Sequence, residues 1–211
     1  MDLHPATTAV IAVHMQHDIV GEHGAFGPFF AAQVAEHDVI GIVGRLQDAA
    51  RAAGAAVVYT RVAWKPDYSD LNPNSPLLGM VVESNCLVDG GRGAQIVPQL
   101  TPREGDIVVT HKRVNGFTDS DLDQQLCARG IDTVLIAGVA TNASVEGTAR
   151  QASDLGYRTV IVADACSAAD QSAHDASLNS LALLAEITTS DEVIGALGKA
   201  TTSGSDGPSG A

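Results

Sequence analysis

The sequence predicts an α/β fold, a single three-layer α/β/α domain with a mostly parallel, doubly wound sheet. Six short runs of apolar and β-branched residues recur along the chain. Most are continuously hydrophobic, which is typical of strands buried on both faces of a parallel sheet. Segments with helical periodicity lie between them, and this alternation favours parallel crossover connections. The length of 211 residues fits one domain with one core.

The order of elements follows from these runs and from the residues that begin and end helices. The predicted strands cover residues 8–13, 55–61, 106–112, 133–139, 158–163 and 185–188. Apolar side chains at helical spacing follow at 39–53, 122–126, 145–155, 178–184 and 193–197. Serine is a good N-cap, so three of these helices are expected to begin at Ser120, Ser172 and Ser190. The glycines expected to end helices are Gly54, Gly130, Gly156 and Gly198.

Two segments fit neither period, and we expect them to be long loops. They cover residues 21–30 and 64–100. Loops of this length inside a compact domain usually form lids or pocket walls. The composition of residues 201–211 is that of a flexible tail, so the predicted domain covers residues 1–200.

Composition excludes several classes of function. Twelve Lys and Arg against 25 Asp and Glu give a net charge of −13, which argues against nucleic acid as a partner. No apolar run is long enough to span a membrane, and the first residues lack the pattern of a signal peptide. The 3 cysteines are widely spaced, as expected for reduced thiols in a cytoplasmic protein.

No cofactor or metal is predicted from the motifs. The histidines show neither HExxH nor another ligand spacing, and there is no GxGxxG or P-loop sequence. A small-molecule substrate is therefore the expected partner.

Ligands bind beyond the carboxyl ends of the strands in an open parallel sheet. His14 follows the first strand, Lys112 ends the third, and Ser144 lies after the fourth, so the three are expected to converge on one pocket. Each also has a simpler explanation: Ser144 as a helix cap, His14 bonded to backbone, and Lys112 paired with Asp18 or Asp164.

Three blocks of sequence resemble the isochorismatase-like hydrolases, the superfamily of cysteine hydrolases that includes nicotinamidases and N-carbamoylsarcosine amidases. The first block is AVIAVHMQHDIV, the second IVVTHKRVNGF and the third VLIAGVATNASVEGTARQASDLGY. The segment VIVADACSA and the later His174 also resemble the corresponding parts of these hydrolases. The resemblance covers residues 7–197 and implies the same α/β fold, a hydrolase activity, and a homodimer or homotetramer.

The resemblance assigns an Asp, Lys, Cys triad to positions 14, 112 and 144, which here hold His14, Lys112 and Ser144. Gln16 and Asp18 keep the family residues, and Phe117 and Thr141 fall in matched blocks. The family's cis peptide in its Gly-Val-Ala-Thr turn would lie at Val139–Ala140. Residues 63–68 lack the Asp-x-His metal motif of nicotinamidases, which disfavours that activity. Isochorismatases proper keep the Asp, so this chain departs from them too.

The substitutions leave three hypotheses. In the first, Ser144 attacks an amide or related C–N bond and His14 takes its proton. Lys112 stabilises the developing charge, and the N–H groups near Ala143 and Ser144 hold the oxyanion. In the second, His14 is the acid of a non-covalent vinyl ether hydrolysis. In the third, an inactive homologue binds a small molecule or serves in an assembly. A Cys-to-Ser replacement made to trap substrate would explain Ser144 but not His14.

Aromatic side chains in the two long loops either pack within those loops or line the site, and in the second case they suit a substrate with a flat ring or an apolar acyl group. They are Phe26, Phe29, Phe30, Trp64 and Tyr68. Gln16, Phe117 and Thr141 are further candidates for substrate binding. Arg61 and Arg113 are candidates to face a substrate carboxylate, or to pair with the acidic surface instead.

Overall fold

The computed structural model describes residues 1–203, with side chains to residue 200. Its strands are β1 Thr8–Val13, β2 Ala56–Val62, β3 Ile107–His111, β4 Thr133–Val139, β5 Arg158–Ser167 and β6 Glu186–Thr188. They form a six-stranded sheet in the order β3-β2-β1-β4-β5-β6. All five pairings are parallel. The predicted fold class is confirmed.

The helices lie between the strands along the chain. They are α1 His17–Val20, α2 Gly27–Glu36, α3 Val39–Ala53, α4 Pro76–Glu83, α5 Leu122–Cys127, α6 Glu146–Asp154, α7 Gln171–Leu181 and α8 Ser190–Ser203. A π-helical turn, Thr141–Val145, joins β4 to α6. Among residues 1–203, no helix has the length and apolarity that crossing a membrane requires.

The core has two halves, one on each face of the sheet. Successive side chains of a strand point to opposite faces, so in β1 Val10 packs with Leu46 of α3 while Ile11 packs with Leu126 of α5 and Leu181 of α7. All five side chains are fully buried. Helices therefore cover both faces, as in doubly wound folds.

The prediction of two uninterrupted loops is wrong. Helix α2 begins inside the segment 21–30, and α4 lies inside the segment 64–100. Both helices begin with a proline in the first turn, Pro28 and Pro76. Proline suits that position because its missing N–H would be unpaired there anyway.

Three helix boundaries also differ from the prediction. Helix α5 begins at Leu122 and is preceded by Asp121, not by Ser120, at the N-cap. Asp170, not Ser172, caps α7, since its carboxylate accepts the Ala173 N–H at 2.8 Å. Helix α8 continues past Gly198 to Ser203 and so enters the segment 201–211 predicted as a tail. The rest of that segment lies outside the described residues.

Candidate active site

A cavity of about 240 Å³ opens at the carboxyl ends of the central strands, where the sheet topology predicts a ligand site. Its apolar wall includes Phe26, Phe29, Phe30, Trp64, Leu78 and Val81. Its polar lining residues are His14, Arg113, Asn142 and Ser144. His14 and Ser144, expected from the sequence to share a pocket, therefore line the same cavity.

His14 follows β1 directly and has a left-handed backbone, with φ at 55°. Few residues other than glycine adopt this conformation, and such residues often lie at functional sites. The backbone is anchored to the neighbouring strand, since the His14 N–H donates to Thr60 O at 2.9 Å. This geometry turns the imidazole into the cavity wall, where His14 is only 4% exposed.

The His14 ring faces a second imidazole. Its Nε2 lies 2.9 Å from Nε2 of His111, and the rings stack with centroids 4.9 Å apart. His111 is fully buried, and its Nδ1 has no hydrogen-bond partner among the described residues. A hydrogen bond between two Nε2 atoms needs one donor and one acceptor, so the two rings hold complementary tautomers.

Ser144 lies in the π-helical turn after β4 and is 6% exposed. The turn follows a cis peptide bond between Val139 and Ala140, at the position that the resemblance implied. A Cβ atom at Gly138 would lie 2.2 Å from Val13 O, so only glycine permits β4 to end this close to β1. This close approach brings the backbone segment that carries Ser144 next to the segment that carries His14.

The Ala143 N–H is not available as an oxyanion donor in this structure. It donates to Ala140 O at 3.1 Å, and the Val145 N–H donates to the same oxygen at 3.1 Å. Val139, Ala140 and Ala143 do line the cavity. Their expected role as backbone donors is therefore not supported at Ala143.

Lys112 is absent from the lining of the cavity, against the expected convergence. Its Nζ lies 2.8 Å from Asp70 Oδ2 and also donates to Ala63 O. The partner is Asp70, not Asp18 or Asp164. The reason is the alternation of the strand: Ile107 and Val109 pack on the same face of the sheet as Val13, and His111 follows them at the same spacing. His111, and not Lys112, is therefore the residue of this segment that contacts His14.

The comparison with known families agrees with this architecture. The model described as Isochorismatase domain matches residues 8–192. The chain belongs to the isochorismatase family. The "Uncharacterized isochorismatase family protein YecD" of Escherichia coli O157:H7 is 31% identical over 206 residues, covering 93% of this chain and 100% of that protein.

Some of the similar proteins have names that state an amide-hydrolysing activity. Ureidoacrylate amidohydrolase RutB of Pseudomonas syringae pv. syringae (strain B728a) is 35% identical over 173 residues, covering 76% of this chain and 71% of that protein. A cysteine hydrolase from Pseudomonas syringae pv. phaseolicola 1448A superposes with a TM-score of 0.85 at 29% identity, covering 95% of this chain and 96% of that one. N-carbamoylsarcosine amidase from Thermoplasma acidophilum gives 0.71 at 26%, with coverage of 88% and 97%. These relationships place the chain among isochorismatase-family hydrolases of small molecules.

Four of the five aromatic side chains expected to bind substrate line the cavity of this isochorismatase-family chain, namely Phe26, Phe29, Phe30 and Trp64. Gln16 does not line the cavity, because its side-chain amide forms hydrogen bonds with the backbone of other segments. The amide oxygen accepts the Val62 N–H at 2.8 Å, and Nε2 donates to Val62 O at 2.7 Å and Ala94 O at 2.9 Å. Gln16 therefore joins the end of β2 to a loop instead of contacting ligand.

Four other candidates for substrate binding also lie outside the cavity lining. Arg61 bonds Thr110 Oγ1 at 2.8 Å and Asp89 at 3.0 Å, and the Tyr68 hydroxyl donates to Cys86 O at 2.8 Å. Phe117 packs against Tyr157, with ring centroids 6.0 Å apart.

The fourth candidate, Thr141, has its Oγ1 2.8 Å from Nδ1 of His174. In each case a protein group already occupies the polar atom or the ring face that a ligand would need. These four residues therefore contact other parts of the protein and do not line the cavity.

The lowered pKa values at this site follow from burial. Desolvation holds the pKa of His14 well below 6.5, and repulsion from His111 adds to it. Desolvation lowers the pKa of His111 to about 4; the backbone of Arg113 opposes this shift and the Lys112 charge favours it. Both imidazoles are therefore neutral at pH 7. Burial and His111, with no contribution from Lys112, keep His14 neutral.

These two histidines are expected to make stability depend on pH. The unfolded chain binds their protons below pH 6.5, whereas folded His111 stays neutral down to a pH of about 4. The stabilisation is thus complete above pH 6.5 and is lost as the pH falls, by about 1.4 kcal/mol per pH unit for each proton taken up. Urea unfolding between pH 7.5 and 4.5 measures this slope.

The variant His111→Asn is expected to show a shallower slope, because only one buried imidazole remains. His23→Asn serves as the control, since His23 is exposed and its loss should leave the slope unchanged. The Asp and Glu residues contribute equally to the slope in the unsubstituted protein and in both variants, so their contribution cancels in the comparison. Equal slopes for His111→Asn and the unsubstituted chain would contradict the assignment of buried neutral rings.

Proposed function

We propose that this isochorismatase-family hydrolase cleaves an amide or related C–N bond of a small molecule, with Ser144 as nucleophile and His14 as general base. One observation carries the proposal: Ser144 and a buried imidazole line the same cavity at the carboxyl ends of the strands. A serine hydroxyl needs an adjacent base to become nucleophilic. The amidohydrolase names of the relatives support the class of bond.

His14 is proposed to act through Nδ1, because its Nε2 bonds His111. With the proton of the pair on His14 Nε2, the Nδ1 lone pair is free to accept the Ser144 hydroxyl proton. The serine oxygen then attacks the carbonyl carbon, and the same proton passes from Nδ1 to the departing nitrogen as the C–N bond breaks. Water repeats the sequence on the acyl-serine and regenerates the hydroxyl.

His111 is proposed as a positioning residue. It fixes the ring orientation and tautomer of His14, which is the part that a carboxylate plays in other serine hydrolases. No carboxylate stabilises the imidazolium here, and the low pKa of His14 makes it a weak base. We therefore expect slow turnover. Lys112 has no direct role in this mechanism, since Asp70 holds its ammonium away from the cavity lining.

The oxyanion is proposed to be held by the side chain of Asn142, which lines the cavity two residues before Ser144. Side-chain amides serve this role in other acyl-transfer enzymes. Non-covalent vinyl ether hydrolysis is disfavoured, because a histidine with a strongly lowered pKa is not in the imidazolium form that could act as a general acid at neutral pH.

A small-molecule-binding protein without turnover is the second candidate. The engaged Ala143 N–H favours it, because the turn then lacks one of the backbone donors expected to stabilise an oxyanion. This candidate keeps the cavity and its ligand but predicts an unreactive Ser144.

Labelling with a small fluorophosphonate distinguishes the two candidates. We expect one adduct per chain, located on Ser144 by peptide mapping, and at least a hundredfold slower labelling in His14→Ala, in line with the typical size of general-base effects. His23→Ala is the matched control and should label normally. Thermal unfolding establishes that each variant is folded. A folded protein that gives no adduct, with the reagent active on a reference serine hydrolase, would leave the binding protein as the function.

We also propose a cytoplasmic homo-oligomer. Cys86, Cys127 and Cys166 are all free thiols, which fits a reducing compartment. Leu183 is 87% exposed, and Leu184 beside it is 42% exposed. Apolar side chains left exposed in this way support a contact between copies of the chain.

A further inference from the structure

Building on the proposed function, we propose that the substrate is electrically neutral and carries an aryl or branched apolar group, with no carboxylate. The cavity lining carries this inference, because it offers extensive apolar contact and no uncompensated positive charge. The named substrate of one relative, ureidoacrylate, is by contrast an acid. The specificity of this chain would then differ from that relative within the same fold.

Aromatic rings form one wall of the cavity. The rings of Phe26 and Phe29 lie 6.4 Å apart between centroids, and those of Phe29 and Phe30 lie 6.2 Å apart, with tilted planes. Leu78 and Val81 of α4 also line the cavity, and both are almost fully buried. Aromatic rings favour tilted or offset packing against other rings, so this wall suits a flat apolar group.

The polar side chains of the cavity lining do not complement an anion. His14 is neutral, and Asn142 and Ser144 carry no charge. Burying a carboxylate against apolar side chains without a charged partner is costly. A neutral amide needs only the few hydrogen bonds that these groups provide.

Arg113 is the single cationic side chain among the lining residues, and the protein itself compensates its charge. Its Nε lies 3.2 Å from Asp119 Oδ2. Its Nη1 lies 3.4 Å from Asn72 O and 3.5 Å from Asn74 Oδ1. Asp119 is not part of the cavity lining, so its carboxylate compensates the guanidinium charge from outside the cavity.

Two probes of matched shape test the inference. 4-Nitrobenzamide and 4-carboxybenzamide differ in charge while the nitro and carboxylate groups are similar in size. Their affinities for Ser144→Ala are measured by calorimetry, so neither turnover nor its absence affects the result. We expect the neutral probe to bind at least tenfold more tightly. Equal or tighter binding of the carboxylate, or no binding of the neutral probe at millimolar concentration, would overturn the proposal.

The variant Asp119→Asn, added to Ser144→Ala, tests the role of the ion pair. Removing the Asp119 charge leaves Arg113 free to attract the carboxylate probe, so the preference for the neutral probe should shrink severalfold. Asp38→Asn is the matched control, because Asp38 forms a similar exposed pair with Arg45, at 3.3 Å, away from this cavity. An unchanged preference in Asp119→Asn would show that Arg113 is not compensated as argued and would overturn that step.

These measurements separate this inference from the proposed function. Failure of fluorophosphonate labelling with retained preference for the neutral probe would remove the mechanism and keep the ligand class. Normal labelling with preference for the carboxylate probe would keep the mechanism and remove the proposed ligand class.

Discussion

Replacing Ser144 by alanine is expected to lower amide hydrolysis by about 10³-fold or more, since the covalent step then has no nucleophile. Binding of 4-nitrobenzamide should stay close to that of the unsubstituted chain, because the variant removes one oxygen from a mainly apolar cavity. Turnover of an amide substrate and calorimetric affinity, measured on the same preparations, check both parts. Ser153→Ala, on α6 and outside the cavity lining, is the control and should retain activity.

Ser144→Cys tests the same mechanism in the opposite direction. A thiol has a pKa near 8.5 and is activated more easily than a hydroxyl. We expect Ser144→Cys to keep covalent turnover and to become sensitive to iodoacetamide at that position. Full activity in Ser144→Ala would contradict the covalent mechanism, because water would then be attacking the substrate directly.

The second large effect is expected in the buried histidine pair. His111→Lys should lower the free energy of unfolding by about 3–5 kcal/mol, because it buries a cation with no countercharge. Adding His14→Asp in the same chain should recover most of that loss, since the new carboxylate lies opposite the new ammonium. Urea unfolding at pH 7.5 of the two single variants and the double variant measures the coupling.

Val108→Lys is the control for the lysine itself. Val108 lies on the same strand but is 44% exposed, so a lysine there should change stability by less than about 0.5 kcal/mol. If the double variant is no more stable than His111→Lys alone, positions 14 and 111 are not paired in the way that the contact between their rings indicates.

Much of the fold could be predicted because its signals are local. The continuous apolar runs of β1 and β4 identify buried parallel strands, and Gly54, with φ at 80°, ends α3 as expected. The pattern does not reveal helices α2 and α4, because glycine and proline near their starts are typical of loops as well. Pro28 and Pro76 were the available signal, since proline is common in the first turn of a helix.

The site was predicted in part for a related reason. His14 and Ser144 could be found because they follow strands whose carboxyl ends must meet. The sequence draws attention to Lys112 because it ends the predicted third strand. Period-2 alternation from Ile107 through Val109, however, leads to His111. That alternation was the signal that could have identified it.

The function of Gln16 could not be read from the sequence in any comparable way. Its partners, Val62 and Ala94, are 46 and 78 residues distant along the chain. Contacts between such distant segments follow from the folded topology and leave no local pattern.

The contact between the Nε2 atoms of His14 and His111 determines which ring nitrogens carry protons at the cavity. Two neutral rings joined in this way hold two N–H protons, and two tautomer arrangements with the same net charge satisfy the contact. One arrangement presents a lone pair at Nδ1 of His14, and the other presents an N–H at the same atom. The pair can thus accept a hydrogen bond from a bound molecule or donate one to it, while the buried site remains uncharged at rest in either arrangement.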